Sequence, residues 1–118
     1  MKINSFWQVL DTLAPGYRGA PAINGWPKLF GEEFDICRYS TMCLPTNPLL
    51  KENPNGYYVW FITDWARISF DAMPDHGELK KECFINPKVL KKSTEEQIAD
   101  YKKRLTEIEC AVIVAICG

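Results

Sequence analysis

The chain has 118 residues, 47% of them apolar and 13% aromatic, with 14 basic and 15 acidic side chains giving a formal net charge of −1. A chain of this length buries roughly two-thirds of its unfolded surface without help from disulfides or metals, so one self-supporting domain over residues 1–118 is expected. Near-neutral charge removes the basic excess that bulk nucleic-acid binding needs for counterion release, and no apolar run approaches the roughly 20 residues that span a bilayer.

Ile3, Phe6, Trp7, Leu10 and Leu13 recur three and four apart, which predicts a short helix over Ile3–Leu13, stopped by Pro15-Gly16. Ala14 to Gly56 holds six of the eight prolines and five of the seven glycines. With Tyr17, Trp26, Leu29 and Phe30 embedded in it, its first part is expected to be a loop packed by its own aromatics. Glu33 to Met42 predicts a strand. Asn53-Pro54-Asn55-Gly56 predicts a tight hairpin, with Asn55-Gly56 supplying two positive-φ positions and Tyr57–Thr63 as the second strand. That strand is apolar on both faces, which predicts a central strand covered on both sides. Trp65 to Asp71 alternates, with Ala66, Ile68 and Phe70 inward, as a third strand after a turn at Thr63-Asp64 or a continuation of the second. Pro74 to Leu90 reads as polar and irregular, with one helical turn near Leu79.

Ser93 and Glu96 form a capping-box pattern at the start of the last element. Behind it a stripe of Ile98, Tyr101, Leu105 and Ile108, continued by Val112 and Ala115, recurs at helical spacing. Cys110–Cys117 is open between a continuation of that helix and a strand, since Val112-Ile113-Val114 are β-branched but no turn residue precedes them. The fold class is α+β: an antiparallel sheet of about three to four strands with a hairpin at Asn55-Gly56, packed with an N-terminal and a C-terminal helix. The C-terminal stripe packs either on its own sheet or on a second copy, as a homodimer through Ile98, Tyr101, Leu105, Ile108 and Val112.

No catalytic motif stands out. Asp64, Asp71, Asp75, His76 and Glu78 are a candidate acidic site for a metal-dependent hydrolase. However, Asp75 and Glu78 lie too close together for the restriction-nuclease pattern, whose acids sit on two strands of a hairpin. His76-Gly77-Glu78 lacks the later cysteine pair of a zinc deaminase. His76 is the single histidine, so a thiol nucleophile such as Cys83 would have to use it as base. Gly16–Gly19 and Gly25–Gly31 lack the lysine of a phosphate loop. The five cysteines are odd in number and without zinc-knuckle spacing; with no secretory signal this points to reduced thiols and a cytoplasmic setting.

The reading that remains is a small non-enzymatic binding protein, with no cofactor, that blocks a larger protein partner. Bacterial immunity proteins and phage-encoded inhibitors of host defence are similar in type, though not in motif. The loop Tyr17–Phe30 and the acidic stretch Asp64–Glu78 are the expected contact surfaces, through Tyr17, Arg18, Trp26, Phe30, Asp64, Asp71 and Asp75. The alternative is an aromatic pocket for a nucleotide-like ligand, lined by Trp26, Tyr58, Trp60, Arg18 and Arg38.

Overall fold

A computed structural model describes residues 2–18, 26–39 and 53–118. Its elements are α1 (Phe6–Leu13), β1 (Lys28–Leu29), β2 (Glu32–Arg38), β3 (Tyr57–Ile62), β4 (Ala66–Met73), β5 (Glu78–Ile85), α2 (Pro87–Lys92) and α3 (Glu95–Cys117). The five strands form one antiparallel sheet in the order β1-β2-β3-β4-β5, so the chain is an α+β fold with more strands than the sequence predicts.

The N-terminal helix is shorter than its apolar repeat. Ser5 caps it, accepting from the Gln8 amide while the Gln8 side chain bonds back to the Ser5 amide. Ile3 is buried but lies outside the helix. Ahead of the cap, the Asn4 amide donates to the Ile116 carbonyl at 2.7 Å, and Asn4 Nδ2 donates to the Ala115 carbonyl at 2.9 Å and to that of Gly118 at 3.1 Å. The two ends of the described chain are thus hydrogen-bonded to each other.

The tight hairpin lies between β1 and β2. Leu29 faces Glu32, and the two residues between them, Phe30 (φ 53°) and Gly31 (φ 83°), both lie in the left-handed region. This is the two-residue turn with paired positive φ that matches strand twist. Asn55 and Gly56 do not adopt positive φ. Instead the Gly56 amide donates to the Asn53 carbonyl at 3.0 Å, and the Asn55 amide donates to Asn53 Oδ1 at 3.2 Å. Asn first, Pro second and Gly fourth is the composition of a type I turn. The antiparallel β2–β3 pair flanking it is present, with Arg38 opposite Tyr57, so its connection runs over 39–56 and not through two residues. The predicted strand end at Thr41-Met42 falls outside the described residues, as do Cys43 and part of the Tyr17–Phe30 loop.

β3 is the middle strand of the sheet, but among the described residues helices cover only one of its faces. Tyr57, Val59 and Phe61 are buried, whereas Trp60 and Ile62 are 37% and 36% exposed. Ala66, Ile68 and Phe70 face inward as predicted, after a turn at Thr63-Asp64.

The stretch read as irregular is mostly ordered: β5 pairs with β4 along its whole length, from Met73↔Glu78 to Ala66↔Ile85. Its inward positions are Leu79, Lys81, Cys83 and Ile85. Lys81 breaks the apolar alternation, and Glu109 on α3 pairs with it.

α3 is one helix through Cys110–Cys117, and its cap is one residue later than predicted. Thr94 accepts from the Gln97 amide at 3.2 Å and the Gln97 side chain returns a bond to the Thr94 amide. Ser93 instead closes α2, its hydroxyl donating to the Val89 carbonyl at 2.6 Å.

The stripe of α3 packs on its own sheet. Ile108, Val112 and Ala115 are buried in one cluster with Val9, Leu10, Phe34, Val59 and Phe70, while Tyr101 and Leu105 pack against its edge and Ile98 is half-buried. Pairing two copies through Ile108 and Val112 would require opening this core. No helix among the described residues is long and apolar enough to cross a membrane.

Candidate partner-contact face

Both α1 and α3 lie against the inner face of the sheet. Among the described residues no helix or strand covers the opposite face. Side chains alternate along a strand, so the register defines that face row by row. One row runs Asp35, Trp60, Ser69, Glu82; another pairs Glu33 with Ile62, and Arg67 with Phe84. Trp60, Ile62 and Phe84 are 37%, 36% and 43% exposed. An antiparallel sheet with a solvated face is ordinarily polar on that face. Here the middle of the face is apolar and aromatic, and it is rimmed by carboxylates. Two bases lie at this end: Lys28, on β1, stands opposite Glu33, and Arg67 pairs with Glu82 at 3.4 Å.

The other end of the face is closed. Met73 is fully buried, and Tyr58 and Asp71 are half-buried. Tyr39 and Tyr58 rings lie 5.1 Å apart, and the Tyr39 hydroxyl donates to Asp71. The open patch is therefore Trp60, Ile62 and Phe84 with their charged neighbours, a shallow depression beside Tyr58 and Arg67 included.

A second aromatic cluster lies on the helix side. Arg38 sits 4.8 Å from the Phe6 ring and 4.6 Å from the Trp7 ring, and Arg18 sits 4.7 Å from the same Trp7 ring. Arg18 is also held by both oxygens of Asp11. These stacks cover a cavity of about 450 Å³ lined by Ser5, Phe6, Trp7, Arg38 and Asn55.

The residues expected to share a nucleotide-like pocket do not meet. Arg38 lies on the inner side with Tyr57, whereas Tyr58 and Trp60 lie on the outer side. Arg18 and Arg38 converge on Trp7, a residue the sequence assigns to a helix face. Trp26, 40% exposed, stands just ahead of β1. Tyr17 packs against the core edge, and Phe30 is exposed at the tip of the β1–β2 turn.

The acidic set is dispersed. Asp64 is in the β3–β4 turn, Asp71 is on β4, Asp75 accepts from Asn55 Nδ2 at 3.0 Å, and Glu78 opens β5 opposite Met73. Among the described residues no three acidic, histidine or cysteine side chains gather as a metal site. Cys83 lies on the inner face of β5, where burial, and then the Glu109 charge, pushes its thiol up to about 11. A thiol held protonated is a poor nucleophile.

Sequence reasoning missed Ile62 and Phe84 as surface residues. A doubly apolar strand implies two covering layers, which predicts Ile62 covered. Phe84 sat in a segment read as irregular, although the alternation Leu79, Cys83, Ile85 against Lys80, Glu82, Phe84 carried the signal. Comparison with family models, with curated proteins and with solved structures gave no match.

Proposed function

We propose that this chain is a non-enzymatic binding protein that blocks a larger protein partner, and that it does so through the uncovered face of its sheet. The observation supporting this reading is that Trp60 and Ile62, on the middle strand, lie exposed with Phe84 on a face that no helix among the described residues covers. Exposed aromatics framed by charge are the composition of a protein interface: the rings supply affinity when desolvated, and the rim steers and selects. The inhibitor or immunity type suits a small domain that offers one flat face and keeps its helices behind it. The turn tip at Phe30 would be a secondary contact.

The test is comparative capture from the cells in which the chain is naturally made. A partner retained by the wild type and by a Lys102→Glu control on α3, but lost by Trp60→Ala and by Phe84→Ala, supports the reading. A partner that survives both changes and is lost on Phe30→Ala or Arg38→Ala removes the outer face from the role.

A further inference from the structure

Resting on that reading of the outer face, we propose that the partner presents a basic surface, with an arginine or lysine side chain seated over Trp60 and beside Asp35 and Glu33. Asp35 is the cross-strand neighbour of Trp60, and Glu33 that of Ile62. Side chains so paired on one face stand about 5 Å apart. The ring of Trp60 thus has a carboxylate on the adjoining strand, with a second one two residues along. A cation over an indole is attracted by the ring's negative face, and a carboxylate at its edge adds charge-assisted hydrogen bonds.

Four acids are held in ion pairs among the described residues. Asp11 is held by Arg18, Glu32 by Arg104, Glu82 by Arg67 and Glu109 by Lys81. Lys28, on β1, stands opposite Glu33, but among the described residues no basic side chain lies within ion-pair distance of Glu33 or Asp35. Asp35 accepts from the Cys37 thiol, at 3.0 Å. Asp64, exposed in the β3–β4 turn, adds a further negative charge beyond Ile62.

Each alternative occupant meets a physical objection. An acidic protein or a nucleic-acid phosphate would bring like charge against Glu33, Asp35 and Asp64. A purely apolar surface would bury Trp60 at the cost of stripping water from two unpaired carboxylates. A basic surface with some apolar content satisfies the ring and both acids together.

The experiment titrates the isotope-labelled chain with three short peptides of equal length: arginine-rich, glutamate-rich, and uncharged with leucine and serine. The expected result is that the arginine-rich peptide shifts the Trp60 indole and the amides of Glu33–Cys37 and Tyr58–Ile62. Glu33→Gln with Asp35→Asn is expected to weaken that binding by roughly three- to tenfold. Raising salt from about 50 to about 300 mM is expected to weaken it further, as the screening length shortens. Both substitutions remove charge without breaking an ion pair within the described residues, so an unchanged melting temperature accompanies the loss.

Arginine-rich binding that is indifferent to the double substitution, or that maps to the acids of α3, overturns the inference. A glutamate-rich or uncharged peptide binding this face more tightly also overturns it, yet leaves the face as a contact surface. Absence of any shift on the face with the arginine-rich peptide overturns it too, and the capture experiment then judges the contact reading separately.

Discussion

Phe30 sits in a conformation that L-residues with bulky side chains avoid. At φ 53° it carries a left-handed strain of about 1–2 kcal/mol. Burying about half of a phenylalanine returns a similar amount, about 1–1.5 kcal/mol, and Phe30 is 47% exposed. The two terms nearly cancel. Phe30→Asn, which suits that turn position, is therefore expected to change unfolding free energy in urea by less than about 1 kcal/mol. Gly31→Ala has no such offset, because at φ 83° a Cβ meets no neighbour within 4 Å and so gains no packing. It is expected to cost about 1 kcal/mol in the same measurement.

The Cys83 thiol makes a different prediction. Its proton is held more tightly in the folded chain, up to about 11 from an ordinary 9.0. The stabilisation is fully present below pH 9 and is lost as pH rises to 11, since the unfolded chain releases the proton first. Tyr57, raised by burial, acts in the same direction at still higher pH. The melting temperature is expected to fall between pH 9 and pH 11, and Cys83→Ala should make that fall shallower. At pH 8 alkylation of exposed Cys110 should run well ahead of Cys83.

At the scale of elements, the start of α3 distinguishes two neighbouring hydroxyls. Thr94→Ala removes the acceptor for the Gln97 amide while keeping the backbone N–H that donates to the Gln97 side chain, and is expected to cost about 1 kcal/mol. Ser93→Ala removes a donor to the end of α2 and should cost less, by thermal or urea unfolding. Element type was legible where one physical rule decided it: amphipathic spacing for α1 and α3, alternation for β4, and the absence of a turn residue for the continuity of α3. It was not legible where two rules competed. Thr94-Gln97 and Ser93-Glu96 are equally good capping boxes, and only the closing of α2 at Ser93 separates them. Asn55-Gly56 looks like the turn that Phe30-Gly31 in fact makes. Lys81 hid β5, because its partner Glu109 is 28 residues away in sequence.

Across the whole molecule, the sheet is fastened to α3 at one edge by a polar knot. Glu32 on β2 accepts from Trp65 Nε1 at 2.9 Å and from Arg104 on α3; Arg104 also sits 4.9 Å from the Trp65 ring, which stacks on Tyr101 at 5.2 Å. The Glu32 side chain is only 12% exposed. Glu32→Ala strands a half-buried guanidinium and an indole N–H, and is expected to cost about 2 kcal/mol, with Glu32→Gln costing about half of that. Core and face should separate in the same assay. Phe70→Ala is expected to cost about 3–5 kcal/mol, whereas Trp60→Ala, on the open face, should cost less than about 1 kcal/mol. The two carboxylates beside Trp60 were not legible as a site, because which acids share a face depends on strand register, and the β2–β3 register is set across a connection of 39–56.

The bonds that tie Asn4 to Ala115, Ile116 and Gly118 also set an order of events. They join residues 111 and more positions apart, so the segment ahead of α1 has to wait for the end of α3. Until α3 has formed, the inner sides of Phe34, Val59 and Phe70 lack its cover and α1 lacks one of its two main neighbours. The domain closes only once α3 has formed, in one late step that seats α1 against it and ties Asn4 to its last turn.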